Sequence, residues 1–600
     1  MALNPLQKTK LLPLLCAVIA FFSAEVQAQT VTESPADLLE QAWKAEYAEN
    51  WERAVELYMQ GETLFPEDIR FPLTLGDLYF GRELYSLAME HYRKAETIAP
   101  FDPSALYKLS QTAGYLNRDA ESARYLETLL AIDPVNKAAI TDLGWMYFKL
   151  HRLKEGAALL EDAMERFGRD DISFAMTLAT IYSDMLRYED SKAHYDSAAR
   201  GAERNGDTLF AAVVHYNWSI LESRFYHYAD AFKETEASLA SFDRPSGRLA
   251  RGELFLRRLD FKAGVMDYQN AFEFDTSPLA KLNLAESFQI AGRLEEARAY
   301  AEDCLNAADH SWLRNYGMDV AAYKMSVHEI LYKTYLGLAE TERFVMYASV
   351  AAQIKGVARR ISFLFKGEVN RLLFKKYALV SANAQREKNL SETEPDALYL
   401  YKNVFDAYPH RALDYVNAAE KRELPLIPKA APFYAYEKAS LALKTGRAEE
   451  KRTATETLNE AIASFDAVWE RDMLADVYLE LAKTDDLDAA ERLFALNPGA
   501  LRRNGVRLPI ALSVAADKRS VKRISKAVEK TGFAPQDERY DARYSLVISL
   551  SGQAAHCLLF DKGKGTGVFN RTIPLPSSIT RAGLSEFSQA LGEAFVAGRE

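Results

Sequence analysis

The feature that most constrains this chain is a recurrence: Pro66, Pro100 and Pro134 stand 34 residues apart, and Gly168 occupies the next step. Counting back from each exposes a second regularity. Twenty-four residues earlier lie Ala42, Gly76, Ser110 and Gly144; twelve earlier lie Ala54, Ala88, Ser122 and Gly156; five earlier lie Gly61, Ala95, Leu129 and Ala163. All but Leu129 are small. Two helices joined by a tight turn approach closely only where side chains are small at the crossing, so small residues at fixed points are what stacked helix pairs demand. Leu129 predicts a looser contact at its crossing. Large residues recur too, with Leu75, Leu109 and Leu143 before the first small position and Tyr58, Tyr92, Leu126 and Leu160 in the second helix. Each unit closes where proline prevents its second helix from running into the next, as at Phe65-Pro66 and Asp133-Pro134.

Over residues 35–170 this pattern resembles the tetratricopeptide-repeat (TPR) family. A fifth unit follows with a one-residue offset, carrying Leu178, Ala179, Tyr182, Tyr195 and Ala198. Three weaker units are expected in 209–311, marked by Ala231, by Tyr268 with Ala271, and by Leu284 and Ala285 with Ala297. The resemblance implies a mostly α fold, a TPR-type α-solenoid of helix pairs, whose first helices line a concave face that takes extended peptides or partner helices.

Beyond residue 312 the small-residue register is lost, yet 327–338 and 369–382 still read as helix. Pro425, Pro428 and Pro432 mark a break, and another repeat-like pair is expected over 469–498. After Asn497-Pro498-Gly499 the pattern turns mixed. Strands are expected at 508–514, 544–550, 557–560 and 568–575, and helices at 520–530 and 584–596, giving a small C-terminal α+β domain in the order β-α-β-β-β-α. The expected organisation is therefore an export segment at 1–28, repeats in clear register at 29–205, weaker repeats at 206–311, divergent helical repeats at 312–501 and the α+β domain at 502–600. Asp561-Lys562-Gly563-Lys564-Gly565-Thr566-Gly567 lacks the Lys-Ser/Thr spacing of a phosphate loop and joins two strands, so it reads as a hairpin turn.

Lys8 and Lys10 precede an apolar run at 11–24 and then Val26-Gln27-Ala28, the pattern of a signal peptide cleaved after Ala28. A retained anchor is the other reading of the same run, which falls short of the ~20 residues that span a bilayer. The chain is expected to be exported, in the periplasm or cell envelope of a bacterium. Past Ala28 only Cys304 and Cys557 remain, too few and too far apart for a disulfide framework or a metal site. A hydrophobic share of 48% argues against disorder, and a formal charge of −11 argues against a general nucleic-acid binder.

The register assigns a partner-binding groove. It places Trp43 and Tyr47, then Asp77 and Phe80, then Tyr107, Gln111 and Tyr115, then Trp145 and Phe148 on the exposed face of successive first helices. Aromatic side chains give large contact area at low entropic cost. The family's clamp for a terminal carboxylate uses Lys and Asn where this chain has Leu39, Trp43 and Leu73, so apolar and stacking contacts are expected instead. Two basic stretches stand out, Arg359, Arg360, Lys366, Arg371, Lys375 and Lys376 as a candidate patch for an anionic partner, and the cations at 502–526 flanking the first tail strand. No His-Glu-x-x-His, Gly-x-Ser-x-Gly or dinucleotide fingerprint is present. These features predict a non-enzymatic protein-interaction scaffold with no cofactor or metal. The alternatives are a protein that stacks its groove aromatics on peptidoglycan or exopolysaccharide, and a glycan-processing enzyme with a site in 312–501.

Overall fold

The computed structural model describes residues 34–168, 171–306, 320–337 and, with short gaps, 413–574, together with Phe587 and Leu591. The export segment and the basic patch from Arg359 to Lys376 lie outside the described residues. The chain divides into two compact units, Met1–His151 and Arg152–Glu600.

In the first unit seven described helices follow one another: α1 (Pro35–Tyr47), α2 (Trp51–Leu64), α3 (Arg70–Gly81), α4 (Tyr85–Ile98), α5 (Pro103–Tyr115), α6 (Asp119–Ile132) and α7 (Lys137–Lys149). Side chains cap the starts of α1, α2, α5 and α7. The Ser34 hydroxyl accepts the Asp37 N–H at 3.2 Å and the Asp37 carboxylate takes the Ser34 N–H in return, while Asp102 and Asn136 cap α5 and α7. Helices α2, α4 and α6 each stop two residues short of the recurrent proline. The turns inside the pairs repeat as strictly. Glu49, Glu83, Asn117 and His151, again 34 apart, take left-handed φ of 57°, 61°, 55° and 56°. The N–H of the residue after each of the first three reaches back to Ala45, Tyr79 and Ala113 carbonyls, a Schellman closure made without glycine.

The crossings are as tight as the small residues require. A Cβ on Gly61 would lie 2.1 Å from the Phe71 ring, and one on Gly76 would lie 2.4 Å from Tyr92. Ser122 donates its hydroxyl to the Ser110 carbonyl at 2.8 Å, joining two small positions across one pair. Leu129 is wholly buried, so a larger side chain closes that crossing and the expected looseness is not found. Leu38, Leu57, Tyr58, Phe71 and Leu75 fill the space between the first two pairs.

The second unit opens with α8 (Leu153–Phe167) and continues as pairs: α9 (Ile172–Asp184) with α10 (Tyr188–Asn205), α11 (Thr208–Arg224) with α12 (Tyr228–Ser241), α13 (Pro245–Arg257) with α14 (Phe261–Phe274), and α15 (Pro278–Ile290) with α16 (Leu294–Asn306). Leu186, Tyr226, Leu259 and Gly292 repeat the left-handed turn. The step from Leu186 to Tyr226 is longer than the others because α10 and α11 run 18 and 17 residues. That added length displaces the register of the later pairs. Helix α17 (Val320–Gly337) follows; the helix expected at 369–382 lies outside the described residues.

Pro428–Ala430 forms a single 3-10 turn before α18 (Ala431–Thr445), α19 (Ala448–Ile462), α20 (Arg471–Ala482) and α21 (Leu487–Leu496). These later helices return to the middle pairs. Phe433 packs on Tyr226 with centroids 4.2 Å apart, Trp469 packs on Phe232 at 5.2 Å, and Arg257 meets Asp472 at 3.4 Å.

The tail holds β1 (Leu508–Ala515), α22 (Lys518–Glu529), β2 (Phe533–Gln536), β3 (Tyr544–Ser551), β4 (Ala554–Asp561) and β5 (Thr566–Pro574). The sheet order is β2-β1-β3-β4-β5, with β1 parallel to β2 and β3 and the other pairs antiparallel. Strand β2 is absent from the sequence-based order. At four residues with Pro535 inside, it resembles a loop, and only its edge position tolerates the missing donor. Of the expected closing helix only Phe587 and Leu591 are described, both helical and buried. Phe494 of α21 joins the sheet to the helices through Phe533 and Tyr544.

The crossing geometry makes a paired prediction. Gly61→Ala should destabilise the protein by roughly 1–3 kcal/mol, because Phe71 has no room to yield. Gly114→Ala, whose new Cβ would meet nothing nearer than 4.0 Å, should be neutral or stabilising by up to about 1 kcal/mol. Urea denaturation of both variants measures the difference.

Candidate functional site

The face of the first unit formed by α1, α3, α5 and α7 carries all nine residues that the register assigns to a groove. On α1, Trp43 is 54% exposed and Tyr47 is 94% exposed, one helical turn apart. On α5, Tyr115 is 55% exposed and Gln111 is also exposed; on α7, Trp145 is 39% exposed. Asp77 is exposed on α3. Phe80, Tyr107 and Phe148 are only half-buried and have neighbours to hold them.

The rings fall into separate groups. Phe80 and Tyr115 meet edge-on with centroids 5.2 Å apart, and both contact Tyr85, which stacks on Tyr115 at 4.6 Å. Trp145 stacks on Phe148 at 5.0 Å. Tyr85 has no place in the sequence-derived set because it begins a second helix, and only the three-dimensional turn brings it to the α3–α5 seam. Trp43 and Tyr47 stand apart from both groups.

Carboxylates on this face are held by tyrosines. Tyr58 donates to Glu46 at 2.9 Å, Tyr92 donates to Asp77 at 2.6 Å and Tyr107 donates to Asp142 at 2.9 Å. Lys108 adds an ion pair to Asp77 at 2.6 Å. Burial, together with the Asp142 carboxylate, pushes the Tyr107 phenol up to about 12. Burial likewise raises Asp142 above the ordinary carboxylate range, against the opposing hydrogen bond from Tyr107. Asp77 and Tyr107 are therefore occupied by these latches, whereas Trp43, Tyr47, Gln111, Tyr115 and Trp145 keep open surface.

In the second unit Glu222, His227 and Asp230 bring ligand-type atoms within 4.8 Å of one another. The Glu222 carboxylate is already a hub: it takes the Trp218 indole N–H at 2.9 Å, the Tyr188 hydroxyl at 2.9 Å and the His227 ring at 3.1 Å. Burial works to raise its pKa, and these hydrogen bonds hold it below the usual value. The geometry ties α10 to α11 and α12, an arrangement that accounts for the cluster without an ion. Cys304 and Cys557 are both buried, and burial pushes the Cys557 thiol up to about 12, unlike a reactive thiolate. The glycine-rich segment is the β4–β5 turn. Asp561 accepts the N–H groups of Gly563 and Lys564 at 2.9 and 3.2 Å, so the amides that a phosphate would need are engaged.

No protein-family model matches the sequence, and no curated protein matches it. Among solved structures, a tetratricopeptide repeat protein from Parabacteroides merdae ATCC 43184 is 14% identical with a TM-score of 0.38, over 42% of this chain and 98% of its own. The type IV pilus biogenesis factor PilW is 17% identical with a TM-score of 0.30, over 36% and 95%. YrrB, described as a TPR protein with an unusual peptide-binding site, is 15% identical with a TM-score of 0.26, over 32% and 97%. At such values the likeness bears on neither partner nor pathway, and the repeat assignment rests on the chain's own geometry.

The latch between α5 and α7 predicts a pH effect. A carboxyl whose folded pKa is raised weakens the fold as pH rises through that value and it ionises. Asp142→Asn keeps an acceptor for Tyr107 without the charge. Its stability relative to the parent should improve above the ordinary carboxylate range, and the two should converge at lower pH in urea titrations. By its 34-residue helix pairs, small-residue crossings and recurrent left-handed turns, the first unit is a TPR-type α-solenoid, and the helix pairs of the second unit repeat its left-handed turn.

Proposed function

We propose that the protein is a non-enzymatic interaction scaffold that holds an extended segment of a partner protein against the first helices of its N-terminal repeats. The observation that carries this reading is the exposure of Trp43, Tyr47, Tyr115 and Trp145 on the same face of α1, α5 and α7. Large aromatic rings left in water on a rigid scaffold are the usual anchors of protein interfaces. Second helices and recurrent crossings hold the face in place, so a partner meets it with little ordering cost on the scaffold's side. The contacts would be apolar and stacking, with Gln111 offering hydrogen bonds to a peptide backbone. The patch at Arg359, Arg360, Lys366, Arg371, Lys375 and Lys376 remains part of the proposal as a site for an anionic partner.

The N-terminal pattern supports placing this scaffold outside the cytoplasm, in the periplasm or envelope of a bacterium. No described helix is long and apolar enough to cross a membrane.

Selection of the full chain against a displayed peptide library tests the groove. The chain should enrich peptides with aromatic or aliphatic anchors. Combined Trp43→Ala, Tyr47→Ala and Trp145→Ala should weaken the selected peptides by about tenfold or more. Undiminished binding by that variant removes the groove from the account. Preferential retention on purified peptidoglycan, lost in the same variant, would instead favour glycan stacking on these rings.

A further inference from the structure

The tail is charged against the rest of the chain. Residues 502–600 carry 16 Lys and Arg against 9 Asp and Glu, in a protein whose formal charge is −11. Helix α22 concentrates this excess. Ile524, Ala527 and Val528 are buried, while Lys518, Arg519, Lys522 and Lys526 are exposed. The exposed cations sit three and four residues apart, where side chains on a helix are neighbours and like charges repel.

Other cations near the end of the chain have acids beside them: Arg492 pairs with Asp488, Arg543 with both Asp561 and Glu491, and Asp472 with Arg257. None of the four on α22 forms a salt bridge among the described residues. The one acid at the helix start, Asp517, is taken up in capping, where it accepts the N–H groups of Arg519 and Ser520 and the Ser520 hydroxyl. A self-repelling row of unpaired cations, held by a helix whose apolar side is already committed to its own domain, calls for an external counter-charge.

We propose that this face of α22 docks the tail domain on an anionic phospholipid surface. The chemistry of the face favours a bilayer over other anions. Helix α22 has no aromatic residue to stack on bases, as single-stranded nucleic-acid sites do. No exposed apolar side chain interrupts the cations to anchor an acidic peptide in a pocket. What remains is a row of point charges on long, flexible stems, which suits a layer of headgroups without insertion into it. Because the contact is electrostatic and exposed, it should weaken steeply with salt.

The test is co-sedimentation of the full chain with vesicles of phosphatidylcholine alone and of phosphatidylcholine mixed with phosphatidylglycerol, over rising NaCl. The chain should bind the mixed vesicles and ignore the neutral ones. Combined Lys518→Gln, Arg519→Gln, Lys522→Gln and Lys526→Gln should weaken binding by about a thousandfold, from the usual contribution of each basic residue near such a surface. A Lys518→Arg, Lys522→Arg and Lys526→Arg variant should bind as the parent does, which separates charge from folding. The proposal is overturned if the mixed vesicles are not bound, or if the glutamine variant binds them as well as the parent. It is equally overturned if polyglutamate or duplex DNA displaces the chain from the vesicles and binds it more tightly at the same salt.

Discussion

Everything in the helical region depends on how closely neighbouring helices can cross, within a pair and between successive pairs. At Gly61 and Gly76 the neighbouring rings of Phe71 and Tyr92 occupy the space that a Cβ would need. At Ser110 and Ser122 the approach is close enough for a side chain to hydrogen-bond the opposite backbone. Dispersion and apolar burial gain from such proximity only while the crossing stays small, because packed interiors do not deform to admit extra atoms. The period follows from that constraint: the same crossing can recur only if each pair has the same length and the same turn between its helices.

A fixed crossing also fixes what the first helices present outward. With Leu38, Leu75, Leu109 and Leu143 buried in the core, the positions on the opposite side of each helix cannot join it. The hydrogen bonds of Tyr58 to Glu46, Tyr92 to Asp77 and Tyr107 to Asp142 then hold this face in one arrangement. The exposed rings of Trp43, Tyr47, Tyr115 and Trp145 are thus mounted on a lattice that is determined without them. Such a division lets the exposed surface vary while the scaffold does not.

The legible part of the fold is the part that repeats. Prolines and small residues carry a signal because a fixed spacing multiplies it, and alternating strands such as β3 announce themselves by their own pattern. The left-handed turns at Glu49, Glu83 and Leu186 were hidden, since nothing in Glu or Leu marks a conformation usually given to glycine. Strand β2 was hidden by its proline. The return of α18–α21 to the middle pairs through Phe433, Trp469 and Asp472 joins residues more than two hundred positions apart, and no local pattern encodes such a contact. For the site, spacing identified which residues share the outer face. It did not reveal that Asp77 and Tyr107 are latched, or that Tyr85 joins Phe80 and Tyr115, because those depend on the neighbouring helix.

Amide hydrogen exchange on the full chain, with and without a selected peptide partner, locates the face that the partner covers. Added protection is expected in Pro35–Tyr47, Arg70–Gly81, Pro103–Tyr115 and Lys137–Lys149, with the second helices Trp51–Leu64, Tyr85–Ile98 and Asp119–Ile132 little changed. Protection confined to the second helices, or to residues beyond Arg152, would contradict a groove on the first helices.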